Sequence, residues 1–207
     1  MTPTVVLATH NQAKVAELRR ILDAARLEVR LVSAREVDLA EPEETGTTFA
    51  QNALLKARAA AEASQLIALA DDSGLAVDAL GGEPGVRSAR YAGAHGDDAA
   101  NLALVLERMA GRPDRAARFI CAAALVSPAG VEHTVDGVVE GTLTEHPRGT
   151  NGFGYDPIFV PTGFTRTTAE MAPQDKDRIS HRGKAFRAIA DVLAAELGQS
   201  LPPRSTS

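Results

Sequence analysis

The sequence predicts an α/β fold, because helical patterns at both ends of the chain enclose a run of strand-like segments. Residues 5–8 form a short apolar run, and apolar residues then recur at helical spacing over residues 15–25. Residues 117–127 and 131–140 are strand-like runs joined by a Pro-Ala-Gly turn, which is typical of a hairpin of adjacent antiparallel strands. A last helical pattern begins at about residue 182 and ends at Gly198.

The segments between these landmarks complete the α/β pattern. Residues 29–33 predict a second strand, and the acidic residues 41–46 have the chemistry of a loop. Thr48 and Gln51 match a capping box, which starts an Ala-rich helix that ends at about residue 63. Further along the chain, we predict a buried strand over residues 66–70, a helix over 97–110, a Gly-rich loop over 149–157 and a strand over 158–160.

The composition is that of an ordinary globular protein, with 44% hydrophobic and 24% charged residues among 207. We expect one folding unit over residues 1–198 and a flexible C-terminal tail over residues 199–207. The net charge of −5 disfavours bulk nucleic-acid binding. The N-terminus has no basic flank, and no apolar stretch approaches the roughly 18 residues that span a bilayer, so we expect a cytoplasmic protein with no membrane partner. Cys121 lies in an apolar run and is expected to be a buried small hydrophobe.

The predicted turn between the first strand and the first helix, over residues 9–14, suits a phosphate group. The first N–H groups of a helix have no partner within the helix and face whatever lies above the turn. With Asn11 as the N-cap, Lys14 is the third helical residue, where a cation opposes the helix dipole at a cost of about 0.3–1 kcal/mol. A bound anion would reverse that sign. The alternative is that Lys14 simply extends into solvent, which costs almost nothing.

Two acidic pairs are candidate metal ligands. Asp71 and Asp72 are predicted at the end of a strand, where α/β proteins place ligands, and Glu43 and Glu44 lie in a loop. Carboxylates suit Mg²⁺, so the two pairs together could hold one ion. An acidic doublet such as Glu43-Glu44 is, on its own, typical of a solvated turn. Neighbouring side chains of an extended segment point opposite ways, so the residues leave the choice between Glu43 and Glu44 open.

Several common nucleotide and metal motifs are excluded. The glycines of residues 149–154 lack the Rossmann spacing and precede a strand, and Gly183-Lys184 lacks the glycine and the Ser/Thr of a P-loop. The five histidines have no zinc-site spacing. Phe153, flanked by glycines, is suited to stacking on a base, although a lone loop phenylalanine is more often a core anchor. Lys176, His181 and Arg182 form a polar cluster before the last helix, and each taken singly is typical of a surface residue.

Five motifs occur in one order: Thr9-His10-Asn11-Gln12-Ala13-Lys14, Glu43-Glu44-Thr45-Gly46, Asp71-Asp72-Ser73-Gly74-Leu75, Phe153-Gly154-Tyr155-Asp156-Pro157 and Ser180-His181-Arg182-Gly183. Each is weak alone, but together they resemble the inosine triphosphate pyrophosphatase (RdgB/Ham1-like) family over roughly residues 4–197. The resemblance implies an elongated mixed β-sheet with flanking helices forming two lobes around a central cleft. It also implies a homodimer.

The activity implied by this resemblance is Mg²⁺-dependent hydrolysis of inosine, deoxyinosine and xanthosine triphosphates (ITP, dITP and XTP) to the monophosphate and pyrophosphate, with Mn²⁺ able to replace Mg²⁺. By the same resemblance, Asp72 is the general base and a metal ligand, and Glu43 or Glu44 completes the metal site. Phe153 stacks on the purine. The full set expected to bind substrate is Thr9, His10, Asn11, Gln12, Ala13, Lys14, Lys56, Ser73, Arg90, Phe153, Gly154, Tyr155, Asp156, Lys176, His181 and Arg182.

One residue departs from the family pattern. His10 stands where the family commonly has Gly. Histidine tolerates a positive φ better than most residues, so we expect the turn to survive and the side chain to narrow or re-charge the phosphate entry. Two other functions fit the sequence less well. A nucleotide-binding sensor without catalysis predicts missing carboxylates, whereas both acidic pairs are present. A Maf-type nucleotide pyrophosphatase is disfavoured by the match at residues 180–183.

Overall fold

The computed structural model of the chain describes residues 2–200, so residues 201–207 of the predicted tail lie outside the described residues. The strands are β1 (Thr4–Leu7), β2 (Arg30–Ser33), β3 (Ile67–Val77), β4 (Ala116–Val126), β5 (Glu132–Leu143) and β6 (Phe159–Pro161). The helices are α1 (Gln12–Ala24), α2 (Phe49–Ser64), α3 (Asp98–Arg108), α4 (Pro173–Ile179) and α5 (His181–Glu196). Sequence patterns predicted all of these elements except α4, whose seven residues are too few to show helical periodicity.

The strands form one mixed sheet in the order β2-β1-β3-β4-β5-β6. β1 is parallel to both of its neighbours, with Leu7 opposite Ser33 on β2 and Leu69 on β3. Parallel neighbours need a crossover connection, and α1 and α2 supply the two crossovers. β5 and β6 are antiparallel. The α/β class with a mixed sheet and flanking helices is therefore confirmed, and no helix within residues 2–200 is long and apolar enough to cross a membrane.

Strand β3 is longer than the sequence pattern predicts. The expectation that the strand ends at Asp71 and Asp72 is wrong, because both residues lie inside β3, which continues to Val77. β1 ends at Leu7, opposite Leu69, so β3 extends beyond the end of its parallel neighbour. On its other side β3 neighbours β4. The two acids consequently lie just past the carboxyl end of β1.

The chain divides into two compact units, and β3, β4 and β5 each contribute residues to both. The first unit holds the described residues up to Asp72, together with Ala122–Asp136 and the described residues from Gly183 onward. The second unit holds Ser73–Cys121 and Gly137–Arg182. The chain first passes from one unit to the other at the peptide bond between Asp72 and Ser73.

Small side chains build a core of the first unit. One face of α2 packs with β3 and β4 through alanines, of which Ala53 and Ala57 are fully buried. The buried alanines of this core are Ala8, Ala53, Ala57, Ala60, Ala61, Ala68, Ala70, Ala122 and Ala124. Because alanine ends at Cβ, the helix backbone can approach the sheet closely. This close approach brings the polar residues on the same helix within reach of β3.

Helix α2 begins with half of the predicted capping box. Thr48 is the N-cap, and its side chain accepts a hydrogen bond from the backbone N–H of Gln51. The reciprocal bond that the predicted box requires does not form, because the Gln51 side chain accepts from the N–H and the hydroxyl of Thr47 instead. This contact with Thr47, one residue before the N-cap, still connects the preceding loop to the first turn of the helix.

The second unit has an aromatic core. Phe119 and Phe159 meet edge to face with ring centroids 4.5 Å apart. Cys121 is fully buried, as predicted.

In the first unit, Gln199, at the start of the predicted tail, exchanges two hydrogen bonds with the backbone of Glu28. This residue is therefore fixed just after α5 ends.

We expect Ala57→Leu to destabilise the protein by about 1–3 kcal/mol, because added methylenes in a close-packed core force side chains and backbone apart. Ala57 is fully buried on α2, whereas Ala63 is exposed on the same helix. Urea unfolding of Ala57→Leu and of the control Ala63→Leu measures the difference. Equal stability of the two variants would show that the alanine core has room to spare.

Candidate active site

The turn after β1 has the predicted helix start. Asn11 is the N-cap of α1, and its side-chain oxygen accepts hydrogen bonds from the N–H groups of Ala13 and Lys14. The backbone N–H of Asn11 in turn donates to the hydroxyl oxygen of Thr9. Two of the amides that we expected to face a phosphate are therefore satisfied within the chain, and Gln12 is the exposed first residue of the helix. The residues expected to bind phosphate are together in one turn of the first unit.

Lys14 is held against a carboxylate rather than extending into solvent. Its ammonium nitrogen lies 3.0 Å from Oδ2 of Asp71, and its side chain is only 16% exposed. Asp71 is itself buried. This pair keeps a cation fixed at the amino-terminal end of α1, which is the location where a bound phosphate would be favoured.

Asp72 points to the other flanking helix, as the alternation of a β-strand requires. Its Oδ2 accepts a hydrogen bond of 2.9 Å from the side-chain amide of Asn52. Its Oδ1 lies 3.7 Å from the ammonium nitrogen of Lys56, which is one turn further along α2. Both oxygens of one buried carboxylate are thus contacted from a single helix.

The loop before α2 brings Glu44, and not Glu43, to this cluster. Oε1 of Glu44 is 2.6 Å from the Lys56 ammonium nitrogen, and the Glu44 side chain is 18% exposed. Glu43 is exposed, while Glu44 and Gly46 on either side of Thr45 are partly buried. This alternation is the one that an extended segment produces. Of the two glutamates, Glu44 is the one placed to act with Asp72.

The charges in this cluster shift one another's pKa. Burial alone would lower the pKa of Lys56, but the carboxylates of Asp72, Asp71 and Glu44 outweigh it and raise the pKa above the usual lysine value. Burial raises the pKa of Asp72, and Glu44 adds to that effect, while Lys56 and the hydrogen bond from Asn52 act in the opposite direction. Lys56 is therefore a permanent cation among carboxylates.

His10 does not have the positive φ that its family position suggested. The non-glycine residues at positive φ within the described chain are Arg26, Asp38 and Gln65. The imidazole Nε2 of His10 lies 2.8 Å from the carbonyl oxygen of Leu39, and Nδ1 is 3.7 Å from Glu41. The turn therefore forms without a histidine at positive φ, and the His10 side chain folds back onto the loop that leads to Glu44.

In the second unit, Asp156 organises the Gly-rich loop. Its buried carboxylate accepts hydrogen bonds from the backbone N–H of Phe153, from the Thr168 hydroxyl and from the Lys176 ammonium at 2.6 Å. Gly152 has φ +78°, and a Cβ there would collide with the Asp156 carboxylate. The carboxylate thus sets the loop conformation from inside, with glycine needed where the backbone passes over it.

Two further contacts fix this loop. The Tyr155 hydroxyl donates to the carbonyl oxygen of Ser88, and the N–H of Gly154 donates to Asp98 at the start of α3. Burial raises the pKa of Tyr155, so the phenol stays protonated and can donate. Tyr155 and Asp156 accordingly hold the loop in place through contacts within the second unit.

Phe153 lies beneath two cations. The Lys176 ammonium and the Arg182 guanidinium are each 5.2 Å from the centre of its ring. Arg182 is buried, and one of its guanidinium nitrogens donates to the hydroxyl of Ser73 at 2.7 Å. Three of the four residues that the resemblance places at the purine, Phe153, Lys176 and Arg182, therefore already contact one another.

His181 opens α5 and stacks on a core phenylalanine. Its ring is 4.6 Å from that of Phe119 and nearly parallel to it, with an interplanar angle of 11°. Arg90, the remaining predicted cation, ends a short 3-10 helix (Gly85–Arg90) in the second unit. Lys176 is on α4, the helix that sequence patterns did not reveal.

Three positioning contacts escaped sequence reasoning: those of Asn52, Asp98 and Thr168. Asn52 is four residues before Lys56, which is a helical spacing that places both side chains on one face of α2. That spacing was visible in the sequence once Lys56 had been singled out. Asp98 and Thr168 reach their partners only through the folding of distant segments, with sequence separations of 56 and 12 residues.

Comparisons with known proteins agree on one family. Residues 5–192 match the sequence profile of the Ham1 family. The dITP/XTP pyrophosphatases of Streptomyces coelicolor and Streptomyces avermitilis are 55% and 53% identical to this chain, each covering 94% of it and 98% of the relative. A solved HAM1 protein from Coxiella burnetii has a TM-score of 0.85 and 44% identity, covering 93% of this chain and 99% of that chain.

We expect Lys56→Met to cost about 3–5 kcal/mol of stability, because it leaves buried carboxylates without their cation. Without Lys56 the pKa of Asp72, already raised by burial, rises further, so the folded state binds a proton there more readily than the unfolded state does. The penalty should therefore be smaller at about pH 5 than at about pH 8. Urea unfolding at both pH values measures it.

The matched control combines Lys56→Met with Asp72→Asn. Removing the carboxylate that faces Lys56 at 3.7 Å should recover part of the lost stability. A penalty that is the same at both pH values and in both backgrounds would contradict an electrostatic role for Lys56.

Proposed function

Because the chain belongs to the Ham1 family, we propose that it hydrolyses nonstandard purine nucleoside triphosphates (ITP, dITP and XTP) to the monophosphate and pyrophosphate. Relatives about half identical to this chain over nearly their full length are named dITP/XTP pyrophosphatase. The observation that carries the proposal in this chain is the buried cluster of Asp72, Lys56 and Glu44. A cluster of this kind is costly to bury, so it needs a reason other than stability.

We assign the triphosphate to the first unit. Lys14 and Lys56 are both fixed by carboxylates, and Lys14 stands at the amino-terminal end of α1. Cations and a helix start favour the charge of phosphate oxygens. Preorganised charges of this kind lower the barrier of phosphoryl transfer without having to reorganise during the reaction.

The donor set of this cluster fits Mg²⁺. Glu44 and Asp72 both approach the Lys56 ammonium, so two carboxylates converge on one cationic group. The described residues contain no group of three or more His, Cys, Asp or Glu that could hold a metal by themselves. Mg²⁺ is usually held by one or two carboxylates together with substrate phosphates, and hard oxygen donors favour it or Mn²⁺ over zinc. When bound, the ion would neutralise phosphate charge and acidify a water molecule.

We assign the role of general base to Asp72. Burial raises its pKa, while Lys56 and the hydrogen bond from Asn52 oppose the shift, so the carboxylate is a stronger proton acceptor than an exposed aspartate. Asp71 is paired with Lys14 and is not available in the same way. The proposed step is attack of a water molecule on the α-phosphorus, with the water's proton passing to Asp72. The new P–O bond gives the nucleoside monophosphate, and the bond between the α-phosphorus and the α–β bridging oxygen breaks, so that pyrophosphate leaves with that oxygen.

We assign the purine to the second unit. Phe153 offers a ring face, and Arg182 is a donor held in place by Ser73. A 6-keto purine presents an acceptor where adenine presents a donor, so a donating pocket leaves buried groups unpaired when ATP enters. Asp156 and Tyr155 support this assignment indirectly, because they hold the loop that carries Phe153.

The homodimer and the cytoplasmic location stay predictions.

A nucleotide panel tests the proposed function. We expect kcat/KM for ITP, dITP and XTP to exceed that for ATP by up to about 10⁴-fold, because mismatched hydrogen-bonding groups are rejected strongly. Arg182→Lys should narrow the ratio of ITP to ATP by roughly tenfold, since a hydrogen bond to a charged group is worth about 1.5–3 kcal/mol. Arg178→Lys, at an exposed position, is the control. Comparable wild-type values for ATP and ITP would refute the assigned base-reading site.

The metal requirement is tested by removing the divalent ion. We expect EDTA to abolish hydrolysis and Mg²⁺ or Mn²⁺ to restore it. Glu44→Gln should raise the Mg²⁺ concentration for half-maximal activity by at least about tenfold, whereas Glu43→Gln should leave it within about twofold. Full activity in excess EDTA, or equal effects of the two substitutions, would contradict the assigned ligands.

A further inference from the structure

Asn52 links the carboxylate of Asp72 to the loop that carries Glu44. It is fully buried on α2. Its side-chain amide donates to Oδ2 of Asp72 at 2.9 Å, and its side-chain oxygen accepts from the backbone N–H of Gly46 at 2.8 Å. One side chain thus makes a donor contact on β3 and an acceptor contact on the loop.

The orientation of this amide is dictated by its partners. A backbone N–H can only donate, so the side-chain oxygen of Asn52 must face Gly46. The amide nitrogen is then left facing Asp72, where it offers hydrogens to a carboxylate oxygen. Asn52 therefore cannot flip without breaking both hydrogen bonds.

Gly46 shows how closely the loop approaches Asn52. A Cβ at position 46 would lie 2.6 Å from the Asn52 side-chain oxygen and 3.0 Å from its backbone nitrogen. Only glycine allows that approach without displacing the helix. The closeness fixes the loop two residues beyond Glu44.

Lys56 repeats the same pair of contacts one turn later. It binds Glu44 of the loop at 2.6 Å and approaches the other oxygen of Asp72 at 3.7 Å. Asn52 and Lys56 therefore hold the two oxygens of Asp72 and two points of the loop from one helix face. Of the two residues, only Asn52 is uncharged, so its contact with Asp72 depends on the direction of a hydrogen bond and brings no net charge.

We propose that Asn52 is a positioning residue for the hydrolysis, orienting the plane of the Asp72 carboxylate and setting its distance from the Glu44 loop. This inference rests on the proposed function. A displacement of about 1 Å in a catalytic group can cost about 10²-fold in rate. Because Asn52 acts through Asp72, its loss should lower kcat and leave KM nearly unchanged.

The test is a double-mutant cycle on ITP hydrolysis. We expect Asn52→Ala to lower kcat by about 10–100-fold and Asp72→Asn to lower it by at least about 10²-fold. The double variant should be no slower than Asp72→Asn alone, within about twofold, because Asn52 has nothing left to position. A kcat near wild type for Asn52→Ala, or losses that multiply in the double variant, would overturn the proposal.

Two more variants keep the test sharp. Asn52→Asp retains an acceptor for the Gly46 N–H but loses the donor to Asp72, so it should lose kcat as Asn52→Ala does, and it replaces that variant if Asn52→Ala does not fold. Wild-type kcat in Asn52→Asp would overturn the proposal. Gln51→Ala removes the contacts to Thr47 but none to Asp72, and should stay within about twofold of wild type.

The outcomes separate this inference from the proposed function. If the wild-type protein does not hydrolyse ITP, or Asp72→Asn keeps full activity, the proposed function or its base fails, and the role of Asn52 fails with it. If wild type is active and Asp72→Asn is not, while the Asn52 variants behave as wild type or multiply with Asp72→Asn, only the role of Asn52 fails.

Discussion

The attraction between the Lys56 ammonium group and the carboxylates around it is the interaction on which the first unit depends. Asp71, Asp72 and Glu44 raise its pKa against the opposing effect of burial, so the lysine keeps its charge where an isolated lysine would tend to lose it. Carboxylates brought together at low exposure would otherwise repel one another and be desolvated without compensation. The Ala-rich face of α2 follows from this requirement, because only a closely packed helix carries Lys56 and Asn52 to β3.

The second unit also contains a buried carboxylate paired with a lysine, and there the pair holds a Gly-rich loop in place. A Gly-rich loop has little regular hydrogen bonding of its own, so Asp156 supplies an acceptor for its backbone and for two side chains. The cost of burying that carboxylate is offset by Lys176, which also lies over Phe153. The group that shapes the loop and the cation expected near the base are thus one ion pair.

The sequence predicted the strands and long helices because their hydrophobic periodicity is local. The turn at Asn11 and the two acidic pairs, Glu43-Glu44 and Asp71-Asp72, were also visible as sequence motifs. Sequence patterns failed where contacts with other segments decide the structure. Strand β3 continues through Asp71 and beyond the end of β1, and the Gln51 side chain accepts from Thr47 rather than from the backbone of Thr48. The choice of Glu44 over Glu43 needed the loop's alternation relative to α2, which no local pattern contains.

The alternation of side chains along β3 also gives its two faces different charge partners, so the pairing register of the strand has chemical consequences. Asp71 meets Lys14 of α1 and Asp72 meets Lys56 of α2, while Leu69 and Ala70 are buried beside them. A slip of one residue during folding would exchange the two faces of the strand, because the side-chain period is two. Each acid would then face the wrong helix at the moment that Leu69 entered space shaped for alanine. A misaligned β3 would therefore lose both its ion pairs and its close packing. These two penalties favour a single pairing register in a strand that contains many small residues.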